Sequence, residues 1–177
     1  MIKTLIIGKN SFVTTSIKKN LTDPIIISAN QITKETIDFE LKKFKKINLV
    51  FNNFYPSKFL NKLEHKNFEQ FFSLSLEKIS LILAFIPVSK INKIIYSSSA
   101  AIYRLAENIN NNKKDSFNRE LYSSFKIAAE KIIINYSERN NKCYHILRLF
   151  NTYGNPNDKF SFVEKIIRSK KKKSSIT

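Results

Sequence analysis

Glycine and cysteine are scarce in this sequence of 177 residues. It has two glycines, Gly8 and Gly154, against a usual share of roughly 7%. Asn, Lys and Ile are abundant instead, which fits a nucleotide bias, so the deficit by itself excludes no function. One cysteine, Cys143, excludes an internal disulfide bond and fits a reducing compartment. Because Cys143 adjoins Tyr144 in an apolar run, we expect it to be buried in the core.

Long apolar runs are also missing. The most apolar segment, residues 71–88, carries Glu77 and Lys78, which excludes a membrane span there. The N-terminus has one lysine and a short apolar run without a small-residue cleavage site, so we expect no signal peptide. These features predict a cytoplasmic protein.

Acidic residues are few: 14, against 31 basic residues, for a net charge of +17. Such a field attracts anions, including nucleic acids and phosphorylated ligands. Part of it lies in a predicted basic tail at residues 168–177, with Arg168 and lysines at 170–173. The tail has no interleaved aromatic residues and the chain has no recognition motif, so we do not expect nucleic-acid binding.

Short apolar runs alternate with amphipathic segments along the chain. The apolar runs predict strands at residues 2–8, 25–28, 47–52, 93–97 and 144–149. Helical spacing predicts helices at residues 11–21, 34–45, 68–85, 119–139 and 160–169. A short helix at 56–63 and a polar loop at 108–115 complete the pattern. The alternation implies an α/β fold with a doubly wound parallel sheet, in one domain over residues 1–167.

The helix at 119–139 places Tyr122 and Lys126 one turn apart on the same face. A phenol has an unperturbed pKa of about 10, which makes it a poor acid or base at neutral pH. A neighbouring ammonium would lower that pKa and allow proton transfer near pH 7. Taken alone the pattern is weak, since a half-buried Tyr beside a solvated Lys looks the same.

Two further segments follow predicted strands: Ser-Ser-Ser-Ala-Ala-Ile-Tyr at 97–103 and Leu-Arg-Leu-Phe-Asn-Thr-Tyr-Gly at 147–154. With Tyr122 and Lys126 between them, their order and spacing resemble the extended short-chain dehydrogenase/reductase family, in its NAD-dependent epimerase/dehydratase branch. The resemblance covers essentially the whole chain. It implies a Rossmann-like fold, NAD or NADP as cofactor, and a nucleotide-sugar substrate of the kind used in polysaccharide biosynthesis.

The resemblance also implies individual roles. Ser99 would hydrogen-bond the reacting substrate oxygen, and Tyr122 would be the general acid/base. Lys126 would bind the nicotinamide ribose and lower the Tyr122 pKa. Phe150 would lie at the nicotinamide edge of the site and Asn151 at the substrate edge. Ser99, Phe150 and Asn151 come at the ends of predicted strands, and Tyr122 and Lys126 lie near the start of the helix between them. Ligands of open α/β sheets bind beyond the carboxyl ends of the strands.

The phosphate loop departs from the family pattern Gly-x-x-Gly-x-x-Gly. In such loops the second glycine lets the backbone approach the pyrophosphate, and the third lets the helix pack on the strand. Here Ser11 and Thr14 take those two positions, so we expect crowding and weaker cofactor binding. The predicted cofactor-binding residues of the loop are Gly8, Asn10, Ser11, Phe12 and Val13.

Three other features depart from the family. No carboxylate ends the second strand to bind the adenosine ribose, which favours NADP or no dinucleotide at all. Phe54 and Tyr55 stand where small residues usually face the cofactor. Family members also continue into a substrate-binding lobe, most of which we expect this chain to lack.

Two hypotheses remain open. The first is an NAD(P)-dependent nucleotide-sugar epimerase or oxidoreductase; Ala100 and Ala101 disfavour dehydration, because dehydratases often carry an acidic pair there. The second is a non-catalytic dinucleotide-binding or interaction protein. The helices that form family dimers are both predicted, so the sequence is compatible with a homodimer, and the oligomeric state stays open. His65 and His145 have no partners at metal-ligand spacing, so no metal site is predicted.

Overall fold

The computed structural model describes residues 2–9, 11–52, 65–105, 114–150, 166, 167 and 169. The strands are β1 (Ile2–Ile7), β2 (Ile25–Ile27), β3 (Lys46–Phe51), β4 (Ile91–Ser99) and β5 (Cys143–Leu149). The α-helices are α1 (Phe12–Lys18), α2 (Lys34–Leu41), α3 (His65–Phe72), α4 (Lys78–Phe85) and α5 (Lys114–Arg139). A π-helical segment, Ser73–Glu77, joins α3 to α4, and 3-10 segments lie at Ala29–Gln31, Val88–Lys90 and Ala100–Leu105.

All five described strands form one parallel sheet with the order β2-β1-β3-β4-β5. The crossover from β1 to β2 runs in one direction, and the later crossovers run in the other. Right-handed connections therefore place α1 on one face and α2, α4 and α5 on the opposite face. The predicted doubly wound α/β fold is confirmed, and its strand order reverses beside β1, where such sheets bind ligands.

The main core lies between the sheet and the face formed by α2, α4 and α5. Strand residues two apart share a face, and the buried ones here meet apolar side chains from all three helices. The members include Leu5, Ile7, Leu49, Phe51, Ile94 and Tyr96 from strands, and Ile37, Ile79, Ile82, Ala129 and Ile133 from helices. This layer holds α5 against β4 and so fixes the position of the Tyr122 turn.

The last strand in the sheet order, β5, is only half covered. Cys143, His145 and Leu147 alternate onto one face of it and are exposed. The expectation that Cys143 is buried is therefore wrong. The reason is that an apolar run in an edge strand can still present every second side chain to solvent.

Several boundaries differ from those predicted. The helix α5 begins at Lys114, within the predicted polar loop, because the stretch from 114 to 139 contains no Gly or Pro to stop it. The strand β4 extends to Ser99 and so carries all three serines. The predicted helix at 56–63 lies outside the described residues, as do the tail from residue 170 and Arg168. Of the predicted helix at 160–169, only 166, 167 and 169 are described, and these are helical.

Over the described part of the chain, no helix combines the length and the apolar character that crossing a membrane requires.

Candidate active site at the carboxyl edge of the sheet

Ser99 and Tyr122 meet where β4 ends. Their side chains share a hydrogen bond. The Ser99 Oγ atom also accepts a hydrogen bond from the Ala101 backbone N–H at 3.2 Å. One residue along α5, the Ser123 hydroxyl donates to the Ala101 carbonyl oxygen at 3.1 Å. The turn after β4 is thus joined to α5 at two adjacent residues, Tyr122 and Ser123.

Lys126 lies one turn beyond Tyr122 and is 4% exposed. Its Nζ atom donates to the Ser97 carbonyl oxygen at 3.0 Å. The same atom lies 4.9 Å from the centroid of the Tyr96 ring and 5.8 Å from that of Tyr122. Burial lowers the pKa of Lys126 to about 8, and the Glu130 carboxylate opposes that shift. The ammonium is therefore held between a carbonyl oxygen and two aromatic rings.

Burial raises the pKa of the Tyr122 phenol, and its hydrogen bond with Ser99 opposes that shift. The net direction is opposite to the sequence expectation that Lys126 lowers the Tyr122 pKa. The physical reason is that the Lys126 ammonium donates to Ser97 and faces the aromatic rings, so desolvation of the phenolate dominates. In this structure Tyr122 is a neutral phenol at pH 7.

An ion pair lies one further turn along α5. Glu130 Oε1 and Oε2 accept hydrogen bonds from Arg148 Nε and Nη2 at 3.2 and 2.9 Å. Arg148 Nη1 also donates to the Tyr103 hydroxyl oxygen at 3.2 Å, with the guanidinium 5.1 Å from the Tyr103 ring centroid. The pair joins α5, β5 and the turn after β4. Sequence analysis did not single out Glu130, although its four-residue spacing from Lys126 was an available signal.

Gly8 is the position in the phosphate loop where no side chain fits. Its φ is +120°, and an added Cβ would lie 1.8 Å from the Asn52 backbone oxygen. The Gly8 N–H donates to the Ile27 carbonyl oxygen and the Asn52 N–H donates to the Ile7 carbonyl oxygen, both at 2.9 Å. The close approach of the chain after β1 to the chain after β3 explains why this glycine alone is kept.

The two replaced glycine positions carry a buried hydrogen-bond network of Ser11, Thr14 and Asn52, here called the loop network. The Ser11 Oγ atom caps α1 by accepting from the Thr14 N–H at 2.9 Å, and it donates to Thr14 Oγ1 at 2.9 Å. The Thr14 hydroxyl donates to the Gly8 carbonyl oxygen at 2.5 Å. Asn52 Nδ2 lies 2.9 Å from Ser11 Oγ and 2.6 Å from Thr14 Oγ1. The expected crowding is thus accommodated by side chains that bond one another.

The other predicted site residues do not contact Ser99, Tyr122 or Lys126 in any described contact. Phe12 and Val13 begin α1 and are half-buried. Phe150 follows β5 and is 77% exposed. Asn10 and Asn151, like Phe54 and Tyr55, lie outside the described residues. The structure therefore brings Ser99, Tyr122 and Lys126 together, while the loop residues form a separate group beside β1 and β3.

Comparison with solved structures shows the same fold in sugar-nucleotide enzymes. The chain is similar to a UDP-N-acetylglucosamine 4-epimerase from Methanobrevibacter ruminantium M1 in complex with UDP-N-acetylmuramic acid, with 18% identity and a TM-score of 0.66 over 98% of this chain and 64% of that chain. It is also similar to MlghC, a GDP-mannoheptose C4 reductase from Campylobacter jejuni with NADP bound, with 14% identity and a TM-score of 0.68 over 94% and 54% of the two chains.

A third similar structure is the UDP-glucose 4-epimerase of Thermus thermophilus in complex with NAD, with 14% identity and a TM-score of 0.62. That match covers 95% of this chain and 61% of the other. The chain thus spans 54% to 64% of the length of these three structures. A search of curated proteins by sequence finds no match.

The sequence profile of the NAD dependent epimerase/dehydratase family matches residues 61–177, about two-thirds of the chain. The matched part includes Ser99, Tyr122 and Lys126, and the fold is the one seen in the epimerases and the reductase above. The chain therefore belongs to the NAD-dependent epimerase/dehydratase family.

Proposed function

We propose that the chain acts as an NAD(P)-dependent nucleotide-sugar epimerase or reductase with Ser99, Tyr122 and Lys126 as its catalytic residues. The observation that carries this proposal is the hydrogen bond between Ser99 and Tyr122 at the end of β4, with the Lys126 ammonium buried one turn away. The solved structures with the same fold, named for action on UDP- or GDP-linked sugars, support this substrate class.

The chemistry of the donor set fits the nicotinamide-ribose end of a dinucleotide. An ammonium has three N–H donors, and among the described residues the Ser97 carbonyl takes one of those on Lys126. The remaining donors suit the hydroxyls of a ribose. When bound, the dinucleotide supplies the hydride acceptor and donor.

The pyrophosphate end is built differently from the family pattern. Gly8 keeps side chains out of the edge between β1 and β3. The hydroxyl protons of Ser11 and Thr14 are already donated to Thr14 and to the Gly8 carbonyl. A phosphate would therefore be held by backbone N–H groups of the Phe12–Val13 turn. The proposal also includes a preference for NADP, because no carboxylate ends the second strand to bind the adenosine ribose.

The protein side of the reaction is proton transfer and positioning. Tyr122 would exchange a proton with the substrate oxygen, and Ser99 would hold that oxygen by a hydrogen bond. Because the phenol is neutral in this structure, Tyr122 is ready to donate in the reducing direction. In the oxidising direction it must lose its proton, and the positive charge of Lys126 would stabilise the phenolate. General acid/base catalysis of this kind contributes about 10²–10⁴ in rate.

The test is calorimetry with NAD(H) and NADP(H) on the purified chain, followed by turnover assays with UDP- and GDP-linked sugars. We expect micromolar binding of one dinucleotide and a turnover that is lost in Tyr122→Phe. The proposal is rejected if neither dinucleotide binds, or if Tyr122→Phe turns over as fast as the unmodified chain.

The alternative function is a dinucleotide-binding or interaction protein without catalysis. The loop network favours this alternative, because Ser11 and Thr14 donate their hydroxyl protons to other protein atoms. Such hydroxyls stabilise the fold and do not donate to a ligand. Dinucleotide binding without turnover of any nucleotide sugar would support this alternative. Hydride transfer that depends on Tyr122 would exclude it.

A homodimer is part of the same proposal. Phe68 and Phe72 of α3 are 45% and 47% exposed, and their rings lie 6.3 and 6.2 Å from that of Phe125 on α5. The two exposed α3 rings pack on the buried Phe125 ring and form an aromatic patch, of the kind that marks interfaces. Light scattering should report a dimer, and Phe72→Gln should shift it towards monomer. A monomer at every concentration would count against the dimer.

A further inference from the structure

Lys126 and Glu130 lie four residues apart on α5, so their side chains leave the same face of the helix. Each is 4% exposed. A buried ammonium without a counter-charge favours its neutral form, because desolvation penalises the charge. The position of Glu130 one turn away therefore bears directly on the charge of Lys126.

The other groups that face Lys126 cannot supply that counter-charge. From β4, the Tyr96 ring and the Ser97 carbonyl oxygen contact its ammonium. Burial raises the pKa of Tyr96 far above its usual value, so this phenol is neutral. Burial also raises the pKa of Tyr122 on α5. Among the described groups, Glu130 is the one whose negative charge acts on the ammonium.

Arg148 of β5 competes for the same carboxylate. Its Nε and Nη2 atoms donate hydrogen bonds to the two carboxylate oxygens of Glu130. Its Nη1 atom donates to the Tyr103 hydroxyl oxygen. Bidentate pairs of this kind fix the carboxylate in one orientation. Two cations, Lys126 and Arg148, thus share one buried negative charge, and the share that Lys126 receives depends on the Arg148 contact.

We infer that Glu130 and Arg148 together set the charge of the Lys126 ammonium, with Glu130 supporting the charge and Arg148 moderating that support. The catalytic consequence rests on the proposed function, since a charged Lys126 is what would stabilise the Tyr122 phenolate. The electrostatic part does not depend on the proposed function and can be measured without turnover.

The direct test is the titration of Lys126 by NMR of lysine labelled with ¹³C at Cε, with its signal assigned by its loss in Lys126→Arg. Glu130→Gln should lower the titration midpoint by about one pH unit, which is about tenfold in proton affinity. Arg148→Gln should raise the midpoint, because Glu130 then acts on Lys126 alone. The opposite directions separate this inference from a structural role, which would predict no such pair of shifts.

Glu138→Gln is the matched control. Glu138 lies on the same helix, and it likewise accepts a hydrogen bond from a β5 side chain, Tyr144, at 3.2 Å. It should leave the Lys126 midpoint unchanged. The inference is overturned if Glu130→Gln behaves like this control, or if Glu130→Gln and Arg148→Gln shift the midpoint in the same direction.

Glu130→Gln changes a buried residue and can fail to fold. In that case Arg148→Gln decides alone, since the Arg148 side chain is 39% exposed and tolerates replacement better. A raised Lys126 midpoint supports the inference, and an unchanged or lowered one overturns it.

A second readout links the pair to catalysis. A charged Lys126 is lost as pH rises through its titration, so the alkaline limb of the kcat profile should move to lower pH in Glu130→Gln and to higher pH in Arg148→Gln. If the unmodified chain shows no turnover, the proposed function fails, while the NMR titration still decides the inference.

Discussion

Two regions of the same carboxyl edge use their polar side chains in opposite ways. Beside β1 and β3, the hydroxyl protons of Ser11 and Thr14 are donated within the loop network. Beside β4, Lys126 is buried with a pKa lowered to about 8, and within the described part of the chain Ser97 accepts one of its three N–H donors. Buried polar groups that satisfy each other stabilise a fold, whereas a buried charge with a shifted pKa is typical of functional sites.

The region beside β1 and β3 shows how two glycines of the phosphate loop can be replaced while the fold is kept. A side chain at a glycine position is tolerated when its polar atoms find buried partners, and Asn52 supplies such a partner to Ser11 and Thr14. At Gly8 no side chain is tolerated, because the backbone of Asn52 occupies the space. The predictions below test whether the first region is structural and the second catalytic.

The largest effect is expected in the region beside β4. Tyr122→Phe should lower kcat by about 10²–10⁴, because it removes the proton that the proposed mechanism transfers. Stability should change little, and dinucleotide binding should persist. Tyr136→Phe is the control, since Tyr136 lies on the same helix and its hydroxyl donates to the Leu83 carbonyl at 3.2 Å, away from this edge. Equal turnover in the two variants would show that Tyr122 has no special role in the reaction.

The next effect is expected at Gly8. Gly8→Ala should reduce the free energy of unfolding by about 3 kcal/mol, because the new Cβ meets the Asn52 backbone and a positive φ is unfavourable for alanine. Urea denaturation measures the change. Lys9→Ala, at the neighbouring exposed position, should leave stability nearly unchanged. A stable Gly8→Ala variant would show that the two backbones are not in close contact.

The loop network should contribute less. Asn52→Ala leaves the buried Ser11 and Thr14 oxygens with one partner fewer and should cost about 1–3 kcal/mol. Asn48→Ala, four residues earlier on β3, removes a partly buried side-chain contact with Asn92 at 2.8 Å and should cost about 1 kcal/mol or less. Equal losses by chemical denaturation would argue that the loop network has no special structural role.

The smallest effect is a pH dependence of stability at Lys126. Its folded pKa of about 8 lies below the unfolded value of about 10.4, so between these values the unfolded state binds more protons. Stability contributed at this position therefore rises with pH over that window. Compared with Lys126→Met, the unmodified chain should gain about 1–2 kcal/mol between about pH 8 and about pH 10. A flat difference between the two denaturation series would mean that burial does not perturb this ammonium.

Much of the fold was predictable because it depends on local pattern. Apolar runs and helical spacing predict the strands and most of the helices. The exposure of Cys143 was not predictable in this way, because a buried strand and an edge strand share the same apolar composition. The direction of the Tyr122 pKa shift was predicted wrongly, since helical spacing sets which residues are near each other but not where an ammonium points.

By itself the sequence determined the alternation of strands and helices and the one-turn spacing of Tyr122, Lys126 and Glu130, because both are short-range properties of the backbone. Tertiary structure alone decided two hydrogen bonds between distant parts of the chain. Asn52 bonds Ser11, 41 residues away in sequence, and Arg148 bonds Glu130, 18 residues away. Those contacts require β1 beside β3 and β5 beside β4. Strand order is set by the packing of the whole chain, so no local pattern of residues could have placed these partners together.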